Sequence, residues 1–308
     1  MLVKAVSFAL LTLFALILNS SGVTAQDPVK IAFVYRGGGF ANVSDAAQDF
    51  ADLLSIETGI QIEASVYHCE KTILDHMGAG LIDLAHLSSV AYVIGHDLYG
   101  IEAQLATNRF GYPYYRSQIN VPAAAGYTDI MDLQNKRFAF ANEASTSGYM
   151  VPYLLIRDLT GMSPEDFFSE IYFAGDHPSV IIDVYEGNAD GGASYWDARD
   201  AVESTYPDVK TVVSVLAYSD DIPNGPWAFR SGLDPTTVQT LSDGIIAVAN
   251  TVEGDTAIET IFNSSFIGGF EAVDDSSYDF LREVVEYFAL VNLVLETCFE
   301  IYLPVVLK

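Results

Sequence analysis

The sequence predicts an α/β protein built as two lobes, each a mainly parallel sheet flanked by helices, with a ligand cleft at the hinge. Three observations predict this class. From Val29 onward, short β-rich runs alternate with amphipathic helical stretches, as in a parallel sheet with crossover helices. The alternation pauses near Pro113 and then resumes. A second interruption, rich in Pro, Asn and Gly, occupies residues 220–230.

The first 25 residues read as a secretory signal peptide. Lys4 precedes an apolar run at 5–18, and small residues follow up to Val23-Thr24-Ala25, where cleavage is expected. The apolar run is shorter than the ~20 residues that a spanning helix needs, although an uncleaved signal anchor stays open as an alternative. The protein is therefore expected to cross the inner membrane and to work in the periplasm or outside the cell.

The first set of elements begins at residue 29 and follows a strand–helix rhythm. Strands are predicted at 29–36, 60–67 and 82–87, and helices at 42–59, 71–80 and 89–98. The β-branched and aromatic content of the strand segments and the 3.6-residue apolar period of the others justify each assignment.

A second set of elements starts at residue 116. Strands are predicted at 116–124, 137–142, 171–174, 190–195 and 209–219, with helices at 129–133, from 148, at 179–188 and at 197–206. One more strand is expected near residue 230, followed by helices at 235–251 and 276–296. Thr236 and either Ser276 or Ser277 are the predicted caps of these last two helices.

Two sets joined at two places indicate that the second lobe is an insertion in the first. The predicted division is 26–115 plus 223–308 for lobe 1 and 116–222 for lobe 2. A chain that crosses out and back makes a hinge, and the cleft beside a hinge is a favoured place for a small ligand. The apolar tail 296–308 contains Pro304 and two glutamates, which favours packing on lobe 1 over a membrane span.

Charge excludes some partners. The chain carries 14 basic and 41 acidic residues, a formal charge of −27, and loss of Lys4 with the signal peptide makes it −28. Nucleic acid and anionic membranes are therefore not expected partners. The acidic residues are read as a solvated surface, since pairs such as Asp220-Asp221 do not have the spacing of a cation site. Cys69 and Cys298 leave one disulfide possible.

The stretch "EASTSGYMVP" at 143–152 carries the clearest chemical signal. It lies between a predicted strand and a predicted helix, so Ser145, Thr146 and Ser147 fall at a helix N-terminus, where backbone N–H groups lack intrahelical partners and the dipole is positive. Hydroxyls beside those amides can bind one tetrahedral anion, and Gly148 allows close approach. The alternative is that Ser145 or Thr146 only caps its own helix.

A wider pattern accompanies this stretch. "DLQNKRFAFANEASTSGYMVPYLLI" is followed by "FAGDHPSVIIDVYEGNADGGASY" and "IPNGPWAFR". In this order the segments resemble the solute-binding proteins of phosphate, phosphite and phosphonate ABC transporters, a branch of the type 2 periplasmic binding proteins. The resemblance extends from about residue 30 to 290. It implies two lobes with a cleft, an extracytoplasmic location and a membrane permease as partner.

The resemblance implies a set of ligand contacts in lobe 2. A phosphorus oxyanion would be held by the hydroxyls and amides of the Ser145–Ser147 run, and His177 falls at the family's binding histidine. Asp197 falls where phosphonate binders place an acidic residue that meets an amine on the ligand. Tyr195 and Trp196 could line the pocket, or Trp196 could be ordinary packing.

Lobe 1 departs from the family at two positions. Glu70 stands where the family usually has an aromatic residue that touches the anion, and a carboxylate there would repel a dianion unless it were protonated or met a cation such as Lys71. Leu87 and Ser88 stand where aminoethylphosphonate binders carry a tyrosine and other members carry an apolar residue followed by Gly-Pro. The anion end is retained, and specificity for the ligand's tail stays open.

Tyr35 and Arg36 end the first strand beside a triple-glycine turn. Ligands of parallel sheets lie at the carboxyl ends of the strands, so both residues are candidate cleft residues. Arg36 is predicted either as a clamp on the anion or as a surface arginine.

The function predicted from these features is capture of a phosphorus oxyanion and delivery to a permease, by a monomer without a cofactor, bound metal or catalytic residues. No His-Glu-x-x-His or Gly-x-Ser-x-Gly motif occurs in the sequence. Two alternatives stay open. One is a ligand-sensing module of a signalling system, and the other is an enzyme of the same fold, for which His177 with Asp197 would be the candidate pair.

Overall fold

The computed structural model describes residues 27–35, 39–143, 145–263 and 267–288. Its strands are β1 (Val29–Val34), β2 (Ile62–Tyr67), β3 (Leu84–His86), β4 (Glu102–Arg109), β5 (Tyr114–Tyr115), β6 (Ser117–Pro122), β7 (Arg137–Phe140), β8 (Glu170–Phe173), β9 (Gly191–Tyr195), β10 (Val213–Tyr218), β11 (Ile222–Pro223), β12 (Pro226–Phe229) and β13 (Ile267–Ala272).

The helices flank these strands and connect them. They are α1 (Phe40–Thr58), α2 (Glu70–Gly78), α3 (Ser89–Tyr99), α4 (Val151–Thr160), α5 (Pro164–Phe167), α6 (His177–Glu186), α7 (Val209–Val212), α8 (Pro235–Ala249), α9 (Val252–Phe262) and α10 (Asp279–Tyr287). Short 3₁₀ turns occur at Ala123–Ala125, Ile130–Leu133, Ala198–Ala201 and Asp275–Tyr278, and a π-helical turn at Thr146–Met150 precedes α4.

The strands form two large sheets. The first has the order β13-β4-β12-β3-β1-β2, and the second has the order β10-β6-β9-β7-β8. In the first sheet β12 and β13 run against the other strands, and in the second sheet β6 does so. Each sheet is therefore mixed, with most of its strands pointing one way, which refines the predicted mainly parallel arrangement.

The chain passes between the two sheets at a short two-stranded ladder. β5 pairs antiparallel with β11, joining Tyr115 to Ile222 and Tyr114 to Pro223. These residues lie where the sequence predicts the lobe boundaries, and the strands on either side of them belong to different sheets. The assignment of 26–115 plus 223–308 and of 116–222 as separate lobes is kept as a prediction.

Apolar side chains fill each layer. One core of lobe 1 is built on Phe33, Phe50 and Trp227, which are at most 1% exposed and whose rings pack within 6.2 Å of one another. Apolar residues of the second sheet, including Phe138 and Phe140, form a separate core with α4 and α5. These cores fix the ends of the strands, where the candidate site lies.

Several predicted elements differ from the structure. The segment predicted as a strand at 209–219 begins with the helical turn α7, because the N–H groups of Thr211 and Val212 bond the Asp208 carbonyl. The helix predicted at 197–206 is reduced to a 3₁₀ turn after Asp197, whose φ of 59° is left-handed. Six elements are not predicted from the sequence, namely strands β4, β5, β11 and β13 and helices α5 and α9.

The two predicted caps near the carboxyl end are wrong. Asp234, whose carboxylate accepts the N–H of Thr237 at 2.9 Å, caps α8 in place of Thr236. Ser276 and Ser277 lie inside a 3₁₀ turn that precedes α10.

Helix α10 contacts both parts of the molecule. Its buried residues Leu281, Val284 and Val285 belong to a core that includes α3. The ring of Phe288, just after the helix, lies 5.4 Å from the rings of both Tyr149 and Tyr153. The predicted signal peptide 1–25, the predicted helix beyond residue 288 and the tail 296–308 lie outside the described residues, as does Cys298. Within the described ranges, every helix is too short or too polar to cross a bilayer.

Candidate functional site

The Ser-Thr-Ser run forms the start of a helix, as predicted. It follows β7, and Ser145 is the N-cap of the π-helical turn Thr146–Met150, which continues directly into α4 with Pro152 in the first turn. The first N–H groups of such a turn have no intrahelical acceptors and carry partial positive charge. This end of the second sheet therefore presents hydroxyls and amides together.

Ser145 has two hydrogen-bond donors already directed at its hydroxyl oxygen. The N–H of Gly148 donates to Ser145 Oγ at 2.9 Å, and His177 Nε2 lies 3.3 Å from the same oxygen. A serine hydroxyl has two acceptor positions and one proton. With both acceptor positions used, the Ser145 O–H is left to donate to a third group. The capping alternative thus holds for Ser145, and capping still leaves the O–H proton available for an anion.

The tautomer of His177 follows from its other nitrogen. His177 Nδ1 accepts the backbone N–H of Tyr195 at 3.1 Å, so the ring proton sits on Nε2, which faces Ser145. The ring also packs against that of Tyr195 at 4.7 Å. Burial lowers the pKa of His177 to about 4, and the Asp176 carboxylate opposes this only in part. The imidazole is therefore neutral at physiological pH and donates one N–H.

The lowered pKa of His177 predicts a pH dependence of stability. Between about pH 6.5 and pH 4 the unfolded chain binds a proton that folded His177 does not, so acidification favours unfolding. The stabilisation is complete above pH 6.5 and lost as the pH approaches 4. We expect wild type to lose about 3 kcal/mol more unfolding free energy than His177→Gln over this range, measured by urea unfolding. Parallel pH profiles for the two proteins would contradict it.

Ser147 and Thr146 occupy different environments. Ser147 is 4% exposed, and its side chain lies close enough to the Tyr115 hydroxyl to oppose the rise that burial causes in the pKa of that group. Its carbonyl accepts the Ser117 hydroxyl at 2.7 Å, which ties the turn to β6. The half-buried Thr146 hydroxyl has no hydrogen-bond partner among the residues that the structure describes. The Thr146 hydroxyl is thus free to bind a ligand, in addition to the Ser145 O–H.

Gly148 is necessary for this packing. A β-carbon at this position would lie 2.5 Å from Ala141 Cβ, 2.8 Å from His177 Cε1 and 2.8 Å from Ser145 Oγ. The close approach predicted for Gly148 is therefore an approach to its protein neighbours, and it brings Ser145 and His177 together.

The segment after β9 supplies Tyr195 and Asp197. Asp197 Oδ1 accepts two bonds from Arg199, at 2.9 and 3.1 Å, and its N–H donates to Gln118 Oε1 at 3.2 Å. The Asp197 carboxylate thus has a cationic partner within the protein. An amine on a ligand would have to compete with that guanidinium.

In lobe 1, Glu70 and Ser88 bind each other. The Ser88 N–H donates to one Glu70 oxygen at 2.6 Å and the Ser88 hydroxyl donates to the other at 2.7 Å. Ser88 is also the N-cap of α3, so the carboxylate sits at a helix N-terminus that stabilises its charge. Lys71, suggested above as the compensating cation, instead pairs with Asp75 at 2.5 Å. The N-terminus of α3 therefore stabilises the negative charge of Glu70.

The three remaining candidate residues near the first sheet, Leu87, Tyr35 and Arg36, have different outcomes. Leu87 is fully buried in the core, so its side chain is not open to a ligand and we withdraw it from the candidate set. Tyr35 is partly exposed and its ring contacts those of Phe40 and His68. Arg36 lies outside the described residues.

The Ser145–Gly148 turn and the His177 imidazole together form what we call the anion cradle. Three residues that support the cradle from the hinge side are not predicted from the sequence. Tyr115, Ser117 and Gln118 lie on β5 and β6 and contact Ser147 or Asp197, yet they have no motif around them. The signal that could have found them is the pause in the strand–helix rhythm near Pro113. Within the described ranges, His, Cys, Asp and Glu side chains form no group suited to holding a metal ion.

Known proteins match the chain along most of its length. Residues 41–278 match the model of a family described as ABC transporter, phosphonate, periplasmic substrate-binding protein. The phosphate-import protein PhnD of Mycolicibacterium smegmatis is 25% identical over 270 residues, covering 80% of this chain and 82% of that protein.

Two solved structures share the fold. One is a binding protein component of an ABC phosphonate transporter from Pseudomonas aeruginosa, with a TM-score of 0.57, 20% identity, and coverage of 86% of this chain and 88% of that one. The other is PhnD1 from Prochlorococcus marinus in complex with methylphosphonate, with a TM-score of 0.58, 15% identity, and coverage of 85% and 98%. The fold is that of a type 2 periplasmic binding protein. The match to the family model over more than half of the chain shows that this protein belongs to the periplasmic substrate-binding proteins of phosphonate ABC transporters.

Proposed function

We propose that this protein captures a phosphorus oxyanion, either phosphate, phosphite or a phosphonate, between its two lobes and delivers it to an ABC permease. The observation that carries the proposal is the turn at Ser145–Gly148, where hydroxyls and free amides meet at a helix N-terminus. The Ser145 O–H, oriented by Gly148 and His177, and the unpartnered Thr146 hydroxyl are donors suited to a tetrahedral anion.

The lobes give the transport step its mechanism. A ligand that touches both 26–115 plus 223–308 and 116–222 favours the closed arrangement, and a permease would recognise that closed state. We propose that the protein acts as a monomer outside the inner membrane after removal of residues 1–25. Ser88, Tyr35 and Tyr195 are the proposed contacts around the ligand's non-anionic end.

Within the proposed set of ligands, the contacts favour those without an amine. Asp197 is engaged by Arg199, and Glu70 is engaged by the N–H and hydroxyl of Ser88. Both of these candidate carboxylates for an ammonium group thus already accept hydrogen bonds within the protein. The names of two related proteins agree, since one is a phosphate-import protein and the other is in complex with methylphosphonate.

We propose binding without turnover. An enzyme of this fold would need a base and a nucleophile that converge on the cleft, and His177 with Asp197 was the pair suggested by the sequence. His177 bonds Ser145 and Tyr195, while Asp197 bonds Arg199. Neither side chain is directed at the other.

Calorimetric titration of the purified protein tests the proposal. The ligands are phosphate, phosphite, methylphosphonate and 2-aminoethylphosphonate, with sulfate as the control anion. We expect submicromolar binding of one phosphorus anion without an amine, and no heat from sulfate. Absence of binding by all four phosphorus anions would overturn the proposal, and preference for 2-aminoethylphosphonate would overturn the inference about the amine.

Removing single hydroxyls should weaken binding by measurable amounts. We expect Ser147→Ala, and more so Thr146→Ala, to cost about 1–3 kcal/mol of binding free energy through loss of a charge-assisted hydrogen bond. Thr146 has the larger effect because its hydroxyl is less buried than that of Ser147, which is 4% exposed and lies beside Tyr115. Thr146→Ser keeps the hydroxyl and is the matched control. Unchanged affinity in both alanine variants would remove this turn from the site.

A further inference from the structure

Arg109 lies at the start of the crossing between the two sheets. It is the last residue of β4, and a tight turn through Phe110 and Gly111, with φ of 53° and 84°, follows it. The backbones of Arg109 and Tyr112 bond each other in both directions, at 2.9 and 3.1 Å. The turn therefore fixes the backbone of Arg109 while its side chain stays exposed.

The turn places Arg109 beside the anion cradle. The Tyr112 ring packs 5.5 Å from the ring of Trp196, which directly follows Tyr195 in the second sheet. Burial raises the pKa of both Tyr115 and Tyr195, and the Arg109 charge opposes the rise at each. Tyr115 lies beside Ser147, and Tyr195 packs on His177. The Arg109 charge thus acts on Tyr115 and on Tyr195, which flank the cradle on two sides.

Arg109 differs from the other arginines of the described ranges because it has no ion pair there. Each of the others pairs with at least one carboxylate, namely Arg116, Arg137, Arg157, Arg199, Arg230 and Arg282. In a chain with 41 acidic and 14 basic residues, an arginine without an acidic partner is unexpected from charge balance alone. An exposed guanidinium of this kind has its donors free for an external anion.

Among the described residues around the Ser145–Gly148 turn named here, no side chain carries an unpaired positive charge. His177 is neutral, and the nearby Arg116 and Arg199 are bound to Asp221 and Asp197. We propose that the guanidinium of Arg109 binds the captured oxyanion and supplies the positive charge that the Ser145–Gly148 turn lacks. This inference rests on the proposed function. Because Arg109 lies on the first sheet and the turn lies beside the second, an anion held by both joins the lobes and favours closure.

Titration calorimetry with inorganic phosphate and methylphosphonate tests the role of Arg109. The proteins are wild type, Arg109→Gln, Arg109→Lys and Arg137→Gln. Arg137 is the matched control, because it begins strand β7 while the Ser145–Gly148 turn follows the other end of that strand. Arg137 is paired with Glu170, and its replacement changes the net charge by the same amount.

We expect Arg109→Gln to lower the affinity for the more tightly bound of the two ligands by about 30-fold or more, because a charge-assisted contact is lost. Arg109→Lys should lose less, because the charge remains while the forked geometry is lost. Arg137→Gln should stay within about 3-fold of wild type. If wild type binds and Arg109→Gln binds equally well, the role of Arg109 is overturned and the proposed function stands. If wild type binds neither these ligands nor phosphite, both fail.

Discussion

Replacing Gly148 with alanine is expected to weaken oxyanion binding strongly. The new methyl group would lie 2.5 Å from Ala141 Cβ and 2.8 Å from both His177 Cε1 and Ser145 Oγ, so the turn and the imidazole must move apart. Such movement breaks the arrangement in which Gly148 N–H and His177 Nε2 orient the Ser145 hydroxyl. We expect affinity to fall by at least about 100-fold, and the unfolding free energy to fall by about 1–3 kcal/mol from overpacking.

The double variant Ala141→Gly with Gly148→Ala separates the two effects. Removing the Ala141 methyl group relieves the shortest overlap but leaves those with His177 and Ser145. Urea unfolding should therefore show a partial recovery of stability relative to Gly148→Ala, while calorimetry should show no recovery of affinity. Binding by Gly148→Ala at the wild-type level would mean that the contact between Ser145 and His177 does not matter for the anion.

The order of strands and helices could be predicted where the residues of an element carry the pattern of that element themselves. The segment 42–59, with its apolar period, forms α1, and the run at 60–67 forms β2. The strand predicted for the valine-rich segment "VKTV" at 209–212 is wrong. β-Branched residues also fit a short helical turn when a preceding carbonyl, here that of Asp208, accepts their N–H groups. The direction of a strand, such as that of β12, which runs antiparallel to β3 and β4, depends on which strands pair in the fold and cannot be deduced from a single sequence.

The candidate site divides in the same way. The Ser145–Gly148 turn was predicted because its chemistry is contained in four consecutive residues. For His177 the position came from resemblance, but the bond from Tyr195 that fixes its tautomer joins residues 18 apart and is visible only in the fold. Arg109 and Tyr115 carry no motif, since their relation to the turn arises from how the chain crosses between the sheets. The sequence predicts that Glu70 repels a dianion unless it is protonated or meets a cation, and the two bonds that it accepts from Ser88 are likewise tertiary.

A close backbone approach at Gly225, near the hinge, predicts a large loss of stability. Gly225 lies between β11 and β12, and a β-carbon there would overlap with the carbonyl oxygen of Leu87 at the end of β3. The Gly225 carbonyl also accepts the N–H and the hydroxyl of Thr107, at 3.2 and 2.9 Å. Because the obstacle is backbone, no rotamer change relieves it. We expect Gly225→Ala to lower the unfolding free energy by about 3 kcal/mol or more, measured by urea unfolding.

Gly268→Ala is the matched control for this prediction. Gly268 lies on β13 of the same sheet, and an added β-carbon there would meet no atom within 4 Å. Its stability should stay within about 0.5 kcal/mol of wild type, or rise because alanine restricts the unfolded chain. Equal stability of the two variants would show that β12 does not approach Leu87 so closely in solution. A loss confined to Gly225→Ala would show that the return crossing of the chain depends on a glycine. Since Leu87 immediately precedes Ser88, the same displacement should disturb the bonds between Ser88 and Glu70 and so weaken ligand binding as well.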